Sequence, residues 1–332
     1  LCKMAENMQA DSVQSRQAGF VRCCLNISGN SAQIYQADSV QCCFNKGGLI
    51  MNYNLREMAA FGVAGNFTGH LEQAGEASDF VNVKTAEAKA PKAVFPTYIP
   101  KKSKDCPEFL NIFPFDSHKI VYPKGQTKLQ TEPECAVIFK AEWNCGKVIR
   151  LTPLAFGASN DCSIRREGAK KISHKKNWGV SSKGVSDNMI AIDSFDSNSL
   201  IDDYRIASFL VRDGVAYAYG EDSAVRDYSY IYGKLTDWII DKLNDQEDSG
   251  PAEKINLYLN GADCPEKILV SIGATRYTEF GEKNFLQNGD RSVVMLYPQS
   301  KYTFRQIEKS AADGVYPQSD ISVLDQTVTD AE

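Results

Sequence analysis

Three acidic side chains carry the most specific chemistry in this sequence. Glu132 and Glu134 stand two positions apart, just before the apolar run Ala136-Val137-Ile138-Phe139. Asp161 follows in Asn160-Asp161-Cys162-Ser163-Ile164-Arg165. On a strand, side chains alternate with period two, so the two glutamates would share a face. Three carboxylates aimed at one point repel each other and call for a cation. Oxygen-only ligands suit a hard divalent ion such as magnesium, manganese or calcium. The same residues would also suit a solvated sheet rim, where exposed acids contribute little, and the spacing alone leaves both readings open.

The elements that must position these acids read as a β-hairpin. One strand starts near Glu132, a turn falls at Asn144-Cys145-Gly146, and a second strand runs from Lys147 to about Leu154, with Asp161 just past it. Pro133 lies between the two glutamates. A proline is tolerated only at a strand start or edge, which places the acids at a rim. Upstream, Phe61 to His70 reads as a strand, a glycine turn and a helix start. Residues 85–105, with three prolines, read as a surface connection, and 109–123 as edge strands and turns. Residues 165–176 are strongly basic and read as a solvated loop or as a lid attracting an anionic substrate. A hairpin is expected over 204–220 around Asp213-Gly214, an amphipathic helix over 235–243, and strands over 267–275 and 292–297. The segment from Pro317 onward is polar and acidic and reads as a disordered tail. The fold class is α+β, mainly β, with few short helices, in one domain over residues 52–316. No β-α-β alternation or phosphate-loop glycine pattern appears.

Residues 1–50 differ in character. Gln-Ala-Asp-Ser-Val-Gln occurs at 9–14 and again at 36–41, within polar sequence that has no sustained period. This segment is expected to be a disordered extension that is not part of the native domain, with a small Cys-rich appendage as the rival reading. A net charge of −5 argues against a general nucleic-acid binder. No apolar run approaches the span of a bilayer and no secretory signal is visible, so the expected location is the cytoplasm, without a membrane partner. The scattered cysteines beyond residue 43 fit reduced, buried thiols, and Cys135 reads as core packing.

The order of motifs resembles the fumarylacetoacetate hydrolase-like family. Gly62-x-x-x-Asn66-Phe67-x-x-His70 comes first, then Glu132-x-Glu134, Asn160-Asp161-x-Ser163-x-Arg165, Lys183, Gly273 and Gly289-Asp290. The resemblance covers about residues 60–300. It implies a mixed β-roll, usually dimeric, with one magnesium or manganese ion per subunit. It also implies enolate chemistry on small 2-oxo or 1,3-dicarbonyl carboxylates: C–C hydrolysis, decarboxylation or related steps. On matching positions Glu132, Glu134 and Asp161 would be the metal ligands. His70 would be the general base and Lys183 the holder of an oxyanion or carboxylate. Asn66, Gln73 and Arg165 are the candidates for substrate contact, with a structural ion pair as the other reading of Arg165.

Three departures fall on the substrate side. Relatives that hydrolyse or decarboxylate carry a glutamate three residues after the histidine, where this chain has Gln73. Lys183 is followed by Gly184-Val185-Ser186-Asp187 in place of the usual Ser-Phe-Asp, and the Gly-Thr-Pro turn reads Gly273-Ala274-Thr275. Gln73 could still orient His70 through a neutral hydrogen bond. The sequence therefore supports a metal-dependent hydrolase or lyase with a changed substrate. Its alternative is a catalytically silent metal- or metabolite-binding protein on the same fold.

Overall fold

A computed structural model describes residues 35–331 except 38–39, 46–47, 81–82, 84 and 166–167, with side chains from residue 53 onward. The larger of two main sheets has ten strands. Across it run β1 (Tyr35–Ala37), β2 (Val40–Asn45), β3 (Gly48–Tyr53), β12 (Met189–Ala191), β9 (Lys147–Asn160), β8 (Pro133–Asn144), β15 (Lys267–Ala274), β4 (Ala59–Ala64) and β5 (Ala93–Tyr98). The tenth, β11 (Gly184–Val185), pairs with β9. The second sheet runs β14 (Val215–Ala224), β13 (Tyr204–Arg212), β16 (Arg291–Pro298), β17 (Ser322–Asp330) and β6 (Lys119–Tyr122). A small ladder joins β7 (Leu129–Gln130) to β10 (Ser163–Ile164). Both main sheets are mixed: β15 runs parallel to β4, and β17 parallel to β6.

The expected hairpin is the centre of the larger sheet. Cys145 and Gly146 both take positive φ, as a two-residue turn between right-twisted strands requires. β8 reads as a continuous apolar run because both of its faces are covered. Cys135, Val137 and Phe139 pack into the main core with Leu235, Ile239 and Leu243 of helix α3 (Tyr232–Asp245), while Ala136 and Ile138 pack on the other face with Met58 and Tyr98. β9 continues past the expected Leu154 to Asn160, opposite Pro133. This register brings Asp161 back beside Glu132. Among the described residues the other α-helices are short: α1 (His70–Gln73), α2 (Ile172–Lys176), α4 (Ile255–Gly261), α5 (Glu279–Lys283) and α6 (Phe304–Asp313).

Three expectations are corrected. Residues 93–98 are not surface connection but the buried edge strand β5. Pro96 is tolerated there because an edge strand has an N–H side that needs no partner. The chain end is not a disordered tail. β17 alternates Ser322, Leu324, Gln326 and Val328 inward, all buried, and lies between β16 and β6. Its polar letters conceal a period-two strand whose inward positions include two satisfied polar side chains. The domain therefore also extends upstream of residue 52: β3 pairs with β12 through Met51↔Met189 and Ile50↔Ile190. The expectation for residues 1–34 lies outside the described residues.

Candidate active site

The two glutamates and the aspartate converge. One oxygen from each of Glu132, Glu134 and Asp161 lies within 4.8 Å of the others, and all three side chains are buried. Pro133 is the first residue of β8, so Glu132 stands just before the strand and Glu134 just inside it. The backbone locks this rim. The Asp161 N–H donates to the Glu132 carbonyl (3.1 Å), and the Glu132 N–H donates to the Asn160 side-chain oxygen (3.1 Å). The Gly273 N–H donates to Glu134 Oε2 at 2.9 Å. Gly273 has φ of +119°, and a Cβ there would sit 3.0 Å from Cβ of Asn66, so glycine alone fits that approach.

Most of the cations around the acids come from the basic run, where Lys175 and Lys176 are buried while Lys170 and His174 are exposed, and Lys183 adds one from beyond it. Lys176 on α2 is buried, with Nζ 2.5 Å from Glu132 Oε2 and 2.6 Å from Asp161 Oδ2. Lys183 pairs with Asp161 Oδ1. Arg165 Nη2 lies 2.8 Å from Glu132 Oε1, and Nη1 lies 2.8 Å from Glu76 Oε1. Glu132 Oε1 and Asp161 Oδ2 thus meet cations without hydrogen-bond alignment. Lys175 reaches Glu76 and the half-exposed Asp79. Ile172-Ser173-His174-Lys175-Lys176 reads as surface until its carboxylate partners, distant in sequence, are placed opposite it, which neither reading of the run did.

This electrostatic surrounding splits the three acids. Burial would raise Glu132, but Lys176 and Arg165 outweigh it and hold the carboxyl well below its usual range. Glu134 goes the other way: burial, then the Asp161 charge, push it well above that range. Burial would lower Lys176, yet Asp161 and Glu132 hold it above an ordinary lysine. For Lys183 burial wins, and its pKa falls despite Asp161.

His70 faces the same place. A cavity of about 10 Å³, room for about one water molecule, is lined by His70, Glu132, Glu134, Lys176 and Glu76 among others. The ring Nδ1 lies 2.8 Å from the Thr275 carbonyl oxygen. A carbonyl only accepts, so Nδ1 carries the proton and Nε2 the lone pair. Burial lowers the pKa of the imidazole, the Glu132 charge opposing it.

Gln73 and Asn66 are held by backbone partners, and Arg165 takes the ion-pair alternative of its two readings. Gln73 does not orient His70. Its amide makes a two-way bond with the Tyr277 backbone, donating at 3.1 Å and accepting at 2.9 Å. The Thr275 carbonyl holds the histidine instead. Asn66 spends both amide donors on the Tyr230 and Ile272 carbonyls and accepts from the Tyr230 N–H, which fastens the loop before α1 rather than facing a ligand. Arg165 is fully engaged, with Gln130, Glu76, Glu132 and the Tyr277 hydroxyl as partners, in the ion-pair role.

The sequence matches the family described as Family of unknown function (DUF5718) over residues 76–328, three-quarters of the chain. The chain belongs to that family. The match holds the acid triad, Lys176 and Lys183, and begins after His70. No curated protein matches the sequence. Among solved structures, Cg1458 with inhibitor superposes with a TM-score of 0.51 at 14% identity, covering 88% of this chain and 95% of the other. A 5-carboxymethyl-2-hydroxymuconate delta-isomerase from Mycobacterium smegmatis gives 0.48 at 12% identity, covering 91% and 94%. A Yersinia pestis CO92 protein described as of the fumarylacetoacetate hydrolase family gives 0.43 at 14%, covering 81% and 92%. The fold is that of the family read from the motif order.

In this DUF5718 chain the site draws on residues that no motif marks. Gln326, on the strand taken for a tail, accepts from Asn160 Nδ2 (3.1 Å) and donates to the carbonyls of Asp116 (2.8 Å) and Lys183 (3.3 Å). Gly184 makes room for it, since a Cβ there would lie 2.5 Å from the Gln326 amide. Gly62 does the same for Phe95, whose ring lies 5.1 Å from Lys176 Nζ. Cys135 is buried in the core, as expected, and the described cysteines with placed side chains are free thiols. No helix among the described residues is long and apolar enough to cross a membrane.

The donor set fits a hard divalent ion by type and spacing: three carboxylates, all oxygen, within reach of one centre. Two of those carboxylates are at the same time bonded to Lys176.

Proposed function

We propose that this chain is an enzyme of the fumarylacetoacetate hydrolase-like type. Its substrate would be a small 2-oxo or 1,3-dicarbonyl carboxylate, with hydrolysis, decarboxylation or related enolate chemistry at the α-carbon. The observation that carries the reading is the water-sized cavity that His70 lines together with Glu132 and Glu134, two members of the acid triad. A neutral imidazole with Nδ1–H tied to a carbonyl and Nε2 open is a base ready to take a proton from water or substrate. The Glu132 charge beside it would stabilise the imidazolium that forms.

Glu132, Glu134 and Asp161 would hold magnesium or manganese, with calcium as a third candidate, and the bound ion would supply Lewis-acid stabilisation to an enolate oxygen. Lys183 would hold the substrate carboxylate or a developing oxyanion. Outside the triad lies a cleft of about 480 Å³ lined by Lys128, Arg165, Lys175 and Glu76, and Glu76 also lines the inner cavity. The size of this cleft supports a small substrate, and its three cations against Glu76 and Asp79 favour an anionic one.

A second reading, a catalytically silent ligand-binding protein, is favoured by Gln73, which gives His70 no carboxylate partner. A turnover screen on acylpyruvates and oxaloacetate with added magnesium or manganese separates the two. Turnover that falls at least about a hundredfold in both His70→Asn and Glu134→Gln is the expected result, each variant removing a group used in the transition state. Metal binding without turnover of any carbonyl acid would establish the silent reading.

A further inference from the structure

Lys176 stands where an added cation would have to stand. Its Nζ is 2.5 Å from Glu132 Oε2 and 2.6 Å from Asp161 Oδ2, on two of the three carboxylates that define the cation centre. Magnesium and calcium take oxygen ligands at roughly 2.0–2.6 Å, so an ammonium and a dication would compete for the same oxygens and repel each other. Nor does the buried network lack positive charge. Glu76, Glu132 and Asp161 are already paired with Arg165, Lys175, Lys176 and Lys183, Lys175 also reaching Asp79, and Glu134 alone of the triad has no cationic partner among the described residues.

The element that delivers this lysine has its own anchorage. α2 is five residues long, and both its first and its last residue, Ile172 and Lys176, line the inner cavity. It is held from outside the triad. The Ile172 N–H donates to the Pro251 carbonyl (3.2 Å), Ser173 Oγ donates to Glu253 (3.0 Å), and Lys171 reaches the Ala252 carbonyl (2.6 Å). Moving the Lys176 ammonium off Glu132 and Asp161 would release two triad oxygens, whose backbone is held independently by the pairing of β8 with β9.

We propose that Lys176 is a tethered cation that occupies the metal position of the resting site, so that a divalent ion binds only when α2 withdraws the lysine from Glu132 and Asp161. The inference rests on the metal-site reading above and adds its regulation. Metal uptake is then coupled to opening of the wall that closes the cavity.

The test is direct binding of Mn²⁺ to the full chain, counted by the loss of the free-ion paramagnetic resonance signal, together with the melting temperature of the metal-free protein. Lys176→Met is compared with wild type and with Lys170→Met, which removes the same charge from the exposed part of the same segment. Lys176→Gln is the second variant, keeping polar character should the methionine fail to fold. We expect the Lys176 variants to bind Mn²⁺ at least about tenfold tighter than wild type, a difference of about 1.4 kcal/mol. They should also melt lower than wild type without metal and regain the loss when Mn²⁺ is added. Lys170→Met should follow wild type. Tightening without any binding by wild type would sustain the inference and remove metal dependence from the native chain. Equal binding by wild type and the Lys176 variants would overturn the inference and leave the metal site standing. Binding by none of them would overturn both.

Discussion

The two halves of the site are built in different ways. The acids sit on the rim of β8 and β9, where ladder pairing and the Asp161 N–H fix the backbone that carries them and the Gly273 N–H fixes the Glu134 carboxylate. The principal cation facing them, Lys176, arrives on a five-residue helix that is tied down by side chains and loop carbonyls. A position fixed by a sheet register cannot shift without breaking several bonds at once. A position fixed by a short helix depends on a handful of contacts, so it can be withdrawn or retuned by single substitutions. The anionic half is therefore the constant part of this pocket, and the cationic half the part that can adjust to ligand.

The sharpest way to break this comparison is to alter the acids one at a time. Glu132→Gln leaves Lys176 and Arg165 each short of a buried counter-charge. It should cost about 3–5 kcal/mol in urea denaturation of the metal-free protein, the range for removing one member of a buried ion pair. Glu134→Gln removes a carboxyl bonded to no lysine or arginine and keeps an acceptor for the Gly273 N–H, so it should stay within about 1 kcal/mol of wild type. Equal losses in the two variants would mean that the acids are not distinguished by their counter-charges.

The anchorage of α2 can be read through pH. Glu253 accepts from Ser173, its other oxygen is buried without a partner, and burial raises its pKa from 4.5 to about 7. The folded state thus keeps this proton over a range where the unfolded chain has lost it. The contribution to stability is full below pH 4.5, declines as pH rises through 4.5 to 7, and is gone above that, with a total of at most about 3 kcal/mol. Glu253→Gln should remove that decline from a plot of unfolding free energy between pH 5 and pH 8. An unchanged slope would place the titrating group elsewhere.

The smallest effect concerns the second sheet's reach into the first half. Gln326→Leu should cost about 2 kcal/mol by leaving the Asn160 amide and the Asp116 carbonyl short of partners. A loss under about 0.5 kcal/mol would show that β17 packs beside the site without supporting it.

Much of the acid half was legible because its signals are local. The run from Ala136, Pro133 at a strand start and the turn at Cys145-Gly146 are rules of backbone geometry within a few residues, and they place Glu132 and Glu134 on a rim. Gly62 and Gly273 showed that space is tight without saying what fills it. Phe95 and Asn66 are the answers, and neither follows from spacing. β5 and β17 were missed because a proline-bearing edge strand and a half-polar buried strand lack the apolar signature of a central strand.

By itself the sequence determined the mainly β class and the long hairpin from short-range periodicity, and it joined Glu132, Glu134, Asp161 and His70 only through the motif order of the family it resembles. Only the tertiary structure decided how those charges are balanced. Lys176, Lys183 and Arg165 meet their carboxylates across 15 to 89 positions of chain. Burial, which makes those pairings strong, belongs to the folded surroundings and to no single stretch of residues. Whether a lysine is solvated surface or the cation of a buried site is settled by what the fold places opposite its ammonium.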